Sequence, residues 1–154
     1  QQLEDVKLDG CVLVVEDVKL NRVLLSALLR RSGATVEMAC DGKQGSDLAL
    51  ERFKAGKPFD LVLMDMQMPV MDGYDATRRL REEGYTSPVV ALTAHAMASD
   101  REKCLDAGCD DYATKPLDKR RLLNICREQI SLERSQGALP NKGSVNPSSV
   151  EQPE

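Results

Sequence analysis

The chain has 154 residues, of which 42% are hydrophobic, 30% charged and 3% aromatic, and its formal net charge is −4. This length suits one domain with a substantial core, with or without a short tail. An acidic chain with so few aromatic side chains lacks the cationic surface and stacking platforms typical of nucleic-acid binders. Its longest apolar runs, such as residues 11–15, are far shorter than the roughly twenty residues that cross a bilayer.

Five apolar stretches predict β-strands. Residues 11–16, 60–64 and 88–92 are continuous runs rich in β-branched side chains, which is typical of parallel strands buried on both faces. Residues 35–39 alternate polar and apolar side chains, as an edge strand does, and residues 111–113 predict a weaker fifth strand.

A helix is predicted after each strand, and four of the helices end at a glycine, which adopts the left-handed cap conformation readily. These glycines are Gly33, Gly56, Gly84 and Gly108. The first helix is predicted to have one apolar face, made of Leu20, Val23, Leu24, Ala27 and Leu28. The apolar positions of the other helices are Leu48, Ala49 and Phe53; Tyr74, Ala76, Thr77 and Leu80; Met97, Cys104 and Leu105; and Leu122, Ile125, Cys126 and Ile130.

This alternation predicts an α/β, flavodoxin-like (βα)5 fold with a five-stranded parallel sheet of order 2-1-3-4-5 and helices on both faces. We expect a polar lead-in at residues 1–9, the folded domain at 10–132 and a flexible polar tail or linker at 133–154, where Pro, Gly and Ser accumulate. Because the chain begins with Gln-Gln, we interpret it as a piece of a longer protein. In such sheets ligands bind at the carboxyl ends of the strands, here between the first and third strands.

Polar side chains stand at those strand ends. Glu16 and Asp17 end the first strand, Asp65 the third and Thr93 the fourth, while Lys115 follows the fifth. Three carboxylates close together repel one another, and a hard divalent cation such as Mg²⁺ relieves that repulsion. The ammonium and hydroxyl groups suit phosphoryl oxygens, so the set favours phosphoryl transfer.

Five cysteines are present, at positions 11, 40, 104, 109 and 126. They are odd in number and form no CxxC pair. We interpret them as small buried hydrophobes in a reducing compartment, rather than as a disulfide set or a zinc site.

Four stretches carry a resemblance to a known family. They are VVEDVKLNRVLL (14–25), LVLMDMQMPVMDGYDATRRLR (61–81), VVALTAHAM (89–97) and CLDAGCDDYATKPL (104–117). Over roughly residues 8–132 the chain resembles the receiver domains of response regulators in two-component signalling. It looks most like the receivers of hybrid sensor histidine kinases.

The resemblance implies a role for each residue at the strand ends. Asp65 would be the phosphoacceptor, and Asp17 and Asp65 would bind Mg²⁺ directly. Glu16, which stands where an Asp is commoner in the family, would act through water, and the backbone carbonyl of Gln67 would complete the protein ligands. Lys115 would pair with a phosphoryl oxygen.

The resemblance also implies a conformational switch and partners. Thr93 would move to the phosphoryl group, Tyr112 would swing inward behind it, and the Lys115–Pro116 peptide would be cis. Gln67 and His95 would tune how fast the phosphoryl group is hydrolysed. The partner would be a histidine kinase or a histidine phosphotransfer domain. The domain would lie in the cytoplasm, whether or not its parent protein is a membrane-anchored sensor kinase. Neither nucleic acid nor membrane would contact this segment directly.

Other interpretations remain open. A carboxylate at a strand end is often only a turn or helix cap, and Tyr112 suits packing as well as switching. A receiver-like domain can also bind partners without phosphorylation. A phosphatase of haloacid-dehalogenase type would need a general acid two residues after its aspartate, where Asp17 has Lys19 and Asp65 has Gln67. A flavin or nucleotide binder would show a glycine-rich phosphate loop, and none is present.

Overall fold

The computed structural model of the protein describes residues 6–94 and 97–137. Strands and helices alternate along these residues. The strands are β1 (Cys11–Val15), β2 (Thr35–Ala39), β3 (Leu61–Asp65), β4 (Val89–Thr93) and β5 (Asp111–Thr114). The helices are α1 (Lys19–Arg31), α2 (Gly42–Lys54), α3 (Gly73–Glu82), α4 (Ala98–Ala107) and α5 (Lys119–Gly137).

The five strands form one parallel sheet in the order β2-β1-β3-β4-β5, which confirms the predicted fold. The strand order reverses between β1 and β3, where Val15 pairs with Met64. The residues that follow β1 therefore lie beside the last residue of β3, Asp65. This juxtaposition is what positions the site.

Helices cover both faces of the sheet. Alternate side chains of each strand enter two separate cores, so that Leu63 packs with α1 and α5 whereas Met64 packs with α2, α3 and α4. Every residue of β3 and β4 is buried. Burial on both faces explains why these strands are continuous apolar runs instead of alternating ones.

The helix ends follow the predicted chemistry. The four predicted cap glycines, Gly33, Gly56, Gly84 and Gly108, all have a φ angle between 81° and 111°. Asp41 and Asp72 cap the starts of α2 and α3, where their side chains accept hydrogen bonds from backbone N–H groups.

The predicted apolar face of α1 is wrong in part. Leu28 is buried as expected, but it packs with Leu25 and Leu29. The other four predicted residues are exposed: Leu20, Val23, Leu24 and Ala27. The apolar arc of α1 is wider than the contact with the sheet, so one stripe stays in solvent. Of the set predicted for α4, Met97, which directly precedes the helix, and Leu105 are likewise exposed, and only Cys104 is buried.

The ends of the domain carry more structure than the sequence suggested. Val6 and Leu8, within the predicted lead-in, are buried, and the N–H of Leu8 donates to the carbonyl of Ser32 at 2.8 Å. Helix α5 continues to Gly137, past the boundary expected at residue 132. The remaining lead-in and tail, residues 1–5 and 138–154, lie outside the described residues, as does His95. Among the described helices, none has the length and apolarity to cross a membrane.

Candidate functional site

Three carboxylates meet where β1 and β3 end. Asp65 is the last residue of β3, and Glu16 and Asp17 directly follow β1. One oxygen from each of the three lies within 4.8 Å of the others. Glu16 and Asp65 are each 2% exposed, whereas Asp17 is half-buried at the mouth of the cluster. The structure thus brings together the three acidic residues that the strand ends predicted.

Lys115 supplies a positive charge to this cluster. Its Nζ lies 3.3 Å from Oδ1 of Asp65 and 3.6 Å from Oε1 of Glu16. The backbone holds it there, because the N–H of Lys115 donates to the carbonyl of Thr93 at 2.8 Å. The Lys115–Pro116 peptide bond is cis. The lysine is therefore fixed to the end of β4 while its ammonium group bridges two carboxylates.

Backbone donors orient two of the carboxylates. The N–H of Gln67 donates to Oδ1 of Asp65, and the N–H of Val18 donates to Oε2 of Glu16, both at 3.1 Å. Nη1 of Arg22 donates to the carbonyl of Glu16 at 2.8 Å. Sequence reasoning missed Arg22, because an arginine in the first turns of a helix looks like any solvated side chain.

The environment of Asp65 disfavours its charged form. The pKa of Asp65 is raised from 3.8 to about 6, and burial is the largest cause. The negative charge of Glu16 also raises this pKa, while the hydrogen bond from Gln67 and the charge of Lys115 lower it. One ammonium group thus only partly offsets the local negative charge, and a divalent cation would complete the compensation.

The loop from β3 to α3 packs closely over Asp65. A Cβ on Gly73 would meet the carbonyl oxygen of Asp65 and the side chain of Met66, so only glycine allows this approach. Val70 has a φ of 70°, and the N–H of Met71 donates to the carbonyl of Pro69 at 2.8 Å. A valine there stores strain of about 1–3 kcal/mol. The sequence did not indicate this packing role of Gly73.

The two predicted switch residues lie on neighbouring strands. Thr93 is buried at the end of β4, next to Leu92, which pairs with Asp65. Tyr112 is half-buried on β5, where it packs against the core shared by α2, α3 and α4. Gln67 is exposed in the loop that follows β3.

A groove adjoins the carboxylates. It has a volume of about 420 Å³ and runs between α1 and the segment that follows β5. Leu24, from the exposed stripe of α1, and Pro116 line its apolar part, while Glu16 and Lys115 belong to the site itself. An exposed apolar surface is thus continuous with the charged cluster.

The family model for the response regulator receiver domain matches residues 12–127. The chain belongs to this family. It is 44% identical over 112 residues to "Two-component response regulator ORR41" of Oryza sativa subsp. japonica, a match that covers 72% of this chain and 87% of that protein. It is 43% identical over 134 residues to "Probable histidine kinase 2" of Oryza sativa subsp. indica, covering 78% of this chain.

The chain spans only 13% of the length of that kinase relative. Among solved structures, it is similar to the receiver domain of sensor histidine kinase PA1611 from Pseudomonas aeruginosa PAO1. The two share 40% sequence identity with a TM-score of 0.70, covering 80% of this chain and 99% of the other. That neighbour's structure has a magnesium ion coordinated in its active-site cleft.

Proposed function

We propose that this receiver domain accepts a phosphoryl group from a phosphohistidine onto Asp65, with Mg²⁺ as cofactor, and works within a phosphorelay of the hybrid-kinase type. The observation that carries the proposal is the contact of Lys115 with two of the three clustered carboxylates. A structural ion pair would need one carboxylate. Two buried carboxylates and a third at the mouth form a charge excess that suits a cation and a phosphoryl group.

The donor set fits magnesium. Hard carboxylate oxygens from Glu16, Asp17 and Asp65 lie close enough for one ion, and Mg²⁺ typically takes few protein ligands and keeps waters. In the proposal Asp17 and Asp65 bind it directly, the carbonyl of Gln67 adds a third protein oxygen, and Glu16 acts through water. When bound, the ion neutralises charge on the phosphoryl oxygens.

The protein residues contribute to the transfer by positioning the reacting groups. An oxygen of Asp65 attacks phosphorus, the P–N bond to the donor imidazole breaks, and the bonding pair leaves with that nitrogen. Lys115, already 3.3 Å from Asp65, would stabilise a phosphoryl oxygen throughout the transfer. Thr93 would then donate a hydrogen bond to the group on Asp65, and Tyr112 would change its packing behind it, which shifts the population of two surface states.

The donor would dock on the exposed stripe of α1. Leu20 and Leu24 are 64% and 59% exposed, and Leu24 lines the groove that reaches Lys115. A protein that presents a phosphohistidine must cover the site, so an apolar surface beside it favours a histidine kinase or phosphotransfer domain as the occupant. The expected setting of this exchange is the cytoplasm.

The central test is incubation of the full chain with acetyl phosphate and Mg²⁺, followed by intact-mass measurement. We expect one added phosphoryl group, lost when a chelator precedes the reagent. Asp65→Asn should abolish the adduct. Asp60→Asn is the matched control, because Asp60 is an aspartate at the opposite end of the sheet, and it should keep the full adduct.

Three results would contradict the proposal. The first is an undiminished adduct on Asp65→Asn, and the second is the absence of an adduct on the unmodified chain. The third is rapid multiple-turnover hydrolysis of p-nitrophenyl phosphate, which would favour the phosphatase interpretation.

Docking is tested with two donors. Leu24→Ser should slow transfer from a purified phosphotransfer-domain protein carrying phosphohistidine by tenfold or more, about 1.4 kcal/mol in the transition state. The same variant should react normally with acetyl phosphate, which needs no docking surface. Leu132→Ser is the matched control, since Leu132 is 47% exposed on α5. Equal slowing in both leucine variants would rule out docking on α1.

A further inference from the structure

The turn that ends α4 has a cysteine at each of its two ends. Gly108 ends the helix in the left-handed conformation with a φ of 111°, and its N–H donates to the carbonyl of Leu105 at 3.0 Å. The N–H of Cys109 donates to the carbonyl of Cys104 at 3.1 Å. This pattern closes the chain in a Schellman-type turn, in which the side chains at the two ends contact each other.

In this protein both of those side chains are thiols. Cys104 is 0% and Cys109 6% exposed, and both belong to the core beneath α4. Thr77 and Tyr74 of α3 border the pair: Sγ of Cys109 lies 3.9 Å from Oγ1 of Thr77, and Tyr74 belongs to the same core cluster as both cysteines. The arrangement is a dithiol held by the backbone, not two separate core residues.

The pKa values of the two thiols are shifted in opposite directions. A hydrogen bond from Cys109 lowers the pKa of Cys104 to about 7, although burial acts in the opposite direction. The pKa of Cys109 is raised by the same bond and by burial. An attacking thiolate and a protonated partner beside it are what thiol oxidation to a disulfide uses.

Oxidants can reach the two thiols because few residues of α4 are buried against the rest of the domain. Of its ten residues, Ala98–Ala107, two are buried, namely Cys104 and Ala107. By comparison, α3 buries five residues over the same length. A helix with so few buried side chains opens locally at low cost in free energy, and this opening exposes the dithiol to small oxidants.

We propose that Cys104 and Cys109 are a reversible oxidation site that forms an intramolecular disulfide with a peroxide as oxidant. The Cys104 thiolate attacks one peroxide oxygen, the O–O bond breaks, and Cys104 becomes a sulfenic acid as hydroxide leaves. The sulfur of Cys109 then displaces the hydroxyl group, and the S–S bond forms. Two thiols lose two electrons, the peroxide gains them, and two waters carry away the protons. A dithiol reductant reverses the reaction.

The disulfide would close the turn from Cys104 to Cys109 covalently. It would join the end of α4 to the segment that leads into β5, and so suppress the local opening of this helix. This inference stands apart from the phosphoryl proposal, because it concerns another part of the molecule and its readout involves no phosphoryl transfer.

The test uses the full native chain treated with a few equivalents of hydrogen peroxide. It is then denatured, alkylated and digested with trypsin. Both cysteines fall within one tryptic peptide, residues 104–119, since Lys115 precedes proline. We expect this peptide to lose both alkylation sites and the mass of two hydrogens, and to recover both sites after dithiothreitol. The peptide with Cys126, which is buried in the core on the opposite face of the sheet, should stay fully alkylated.

Variants separate the pair from general oxidation. Cys126→Ser should leave the disulfide yield unchanged, whereas Cys109→Ser should abolish it. The proposal is overturned if the native chain keeps both alkylated thiols in residues 104–119. It is equally overturned if Cys104 links instead to Cys40, which is exposed, or if the disulfide forms only in urea.

Discussion

At the amino ends of the strands, Asp60 and Asp110 each accept a backbone hydrogen bond at 2.8 Å, from the N–H groups of Cys11 and Val89. Arg81 also reaches Asp110, at 2.8 Å. At the carboxyl ends, Asp65 lies among two further carboxylates, and its pKa is raised to about 6. Aspartate side chains thus cap strands at the amino edge, whereas at the carboxyl edge an aspartate contributes to a concentration of negative charge.

The difference lies in how many carboxylates share one cation. Arg81 donates to Asp110 and to the backbone carbonyls of Tyr85, Ser87 and Gly108, at 2.7–2.9 Å. It joins α3, the start of β4 and the end of α4. Lys115 faces two carboxylates with one compact ammonium group. At the amino ends of the strands, the charges of Arg81 and Asp110 compensate each other and stabilise the fold. The carboxyl ends keep an excess of negative charge that a ligand can use.

The largest effect on stability is expected at the amino ends of the strands, where Arg81 pairs with Asp110. Arg81→Met keeps the aliphatic stem but removes every one of these hydrogen bonds. We expect the free energy of unfolding to fall by about 2–4 kcal/mol, because three part-buried carbonyl acceptors and the Asp110 carboxylate lose their donor. Urea unfolding in Mg²⁺-free buffer measures it.

Arg78→Met is the matched control on the same helix. Arg78 forms one exposed ion pair with Asp75, at 2.7 Å, and pairs of this kind contribute about 1 kcal/mol or less. If the two arginine variants lose equal stability, the amino edge is not held by Arg81, and the contrast between the edges fails.

The comparison also shows why sequence reasoning succeeded at one edge. Asp65 and Thr93 stand where continuous apolar runs stop, and parallel strands bring such positions to one edge of a sheet. The fold and the cluster of acidic residues follow from that periodicity. To predict the contact of Lys115 with Glu16 and Asp65, only the order of the strands was needed in addition.

Other features depend on contacts that no local pattern encodes. Arg81 meets Asp110 across 29 residues of chain, and a Cβ at Gly73 is excluded by a backbone that folds over it. The misassigned face of α1 has the same origin. Leu24 and Leu25 are equally apolar, and only the position of the sheet decides that Leu25 is buried.

A smaller effect of opposite sign is expected at the charged edge. In Mg²⁺-free buffer near pH 8, Asp65→Asn should raise the free energy of unfolding by about 1–3 kcal/mol, because the native carboxylate is destabilised by burial and by Glu16. The folded pKa of Asp65, about 6, lies above the unfolded value of 3.8, so the folded state binds this proton more tightly. Wild-type stability from this group should therefore fall as the pH rises from 3.8 to about 6.

The gain of Asp65→Asn over the unmodified chain should follow the same curve, absent at low pH and full above the folded pKa. Asp60→Asn is the control, and it should show no gain at any pH, since that carboxylate caps β1. Adding Mg²⁺ should narrow the gap between the unmodified chain and Asp65→Asn, because the cation stabilises the carboxylate cluster only while its acidic ligands are intact. If the gain in the free energy of unfolding does not depend on pH, the charge of Asp65 is not what destabilises the folded state. The two edges would then differ in packing and not in charge.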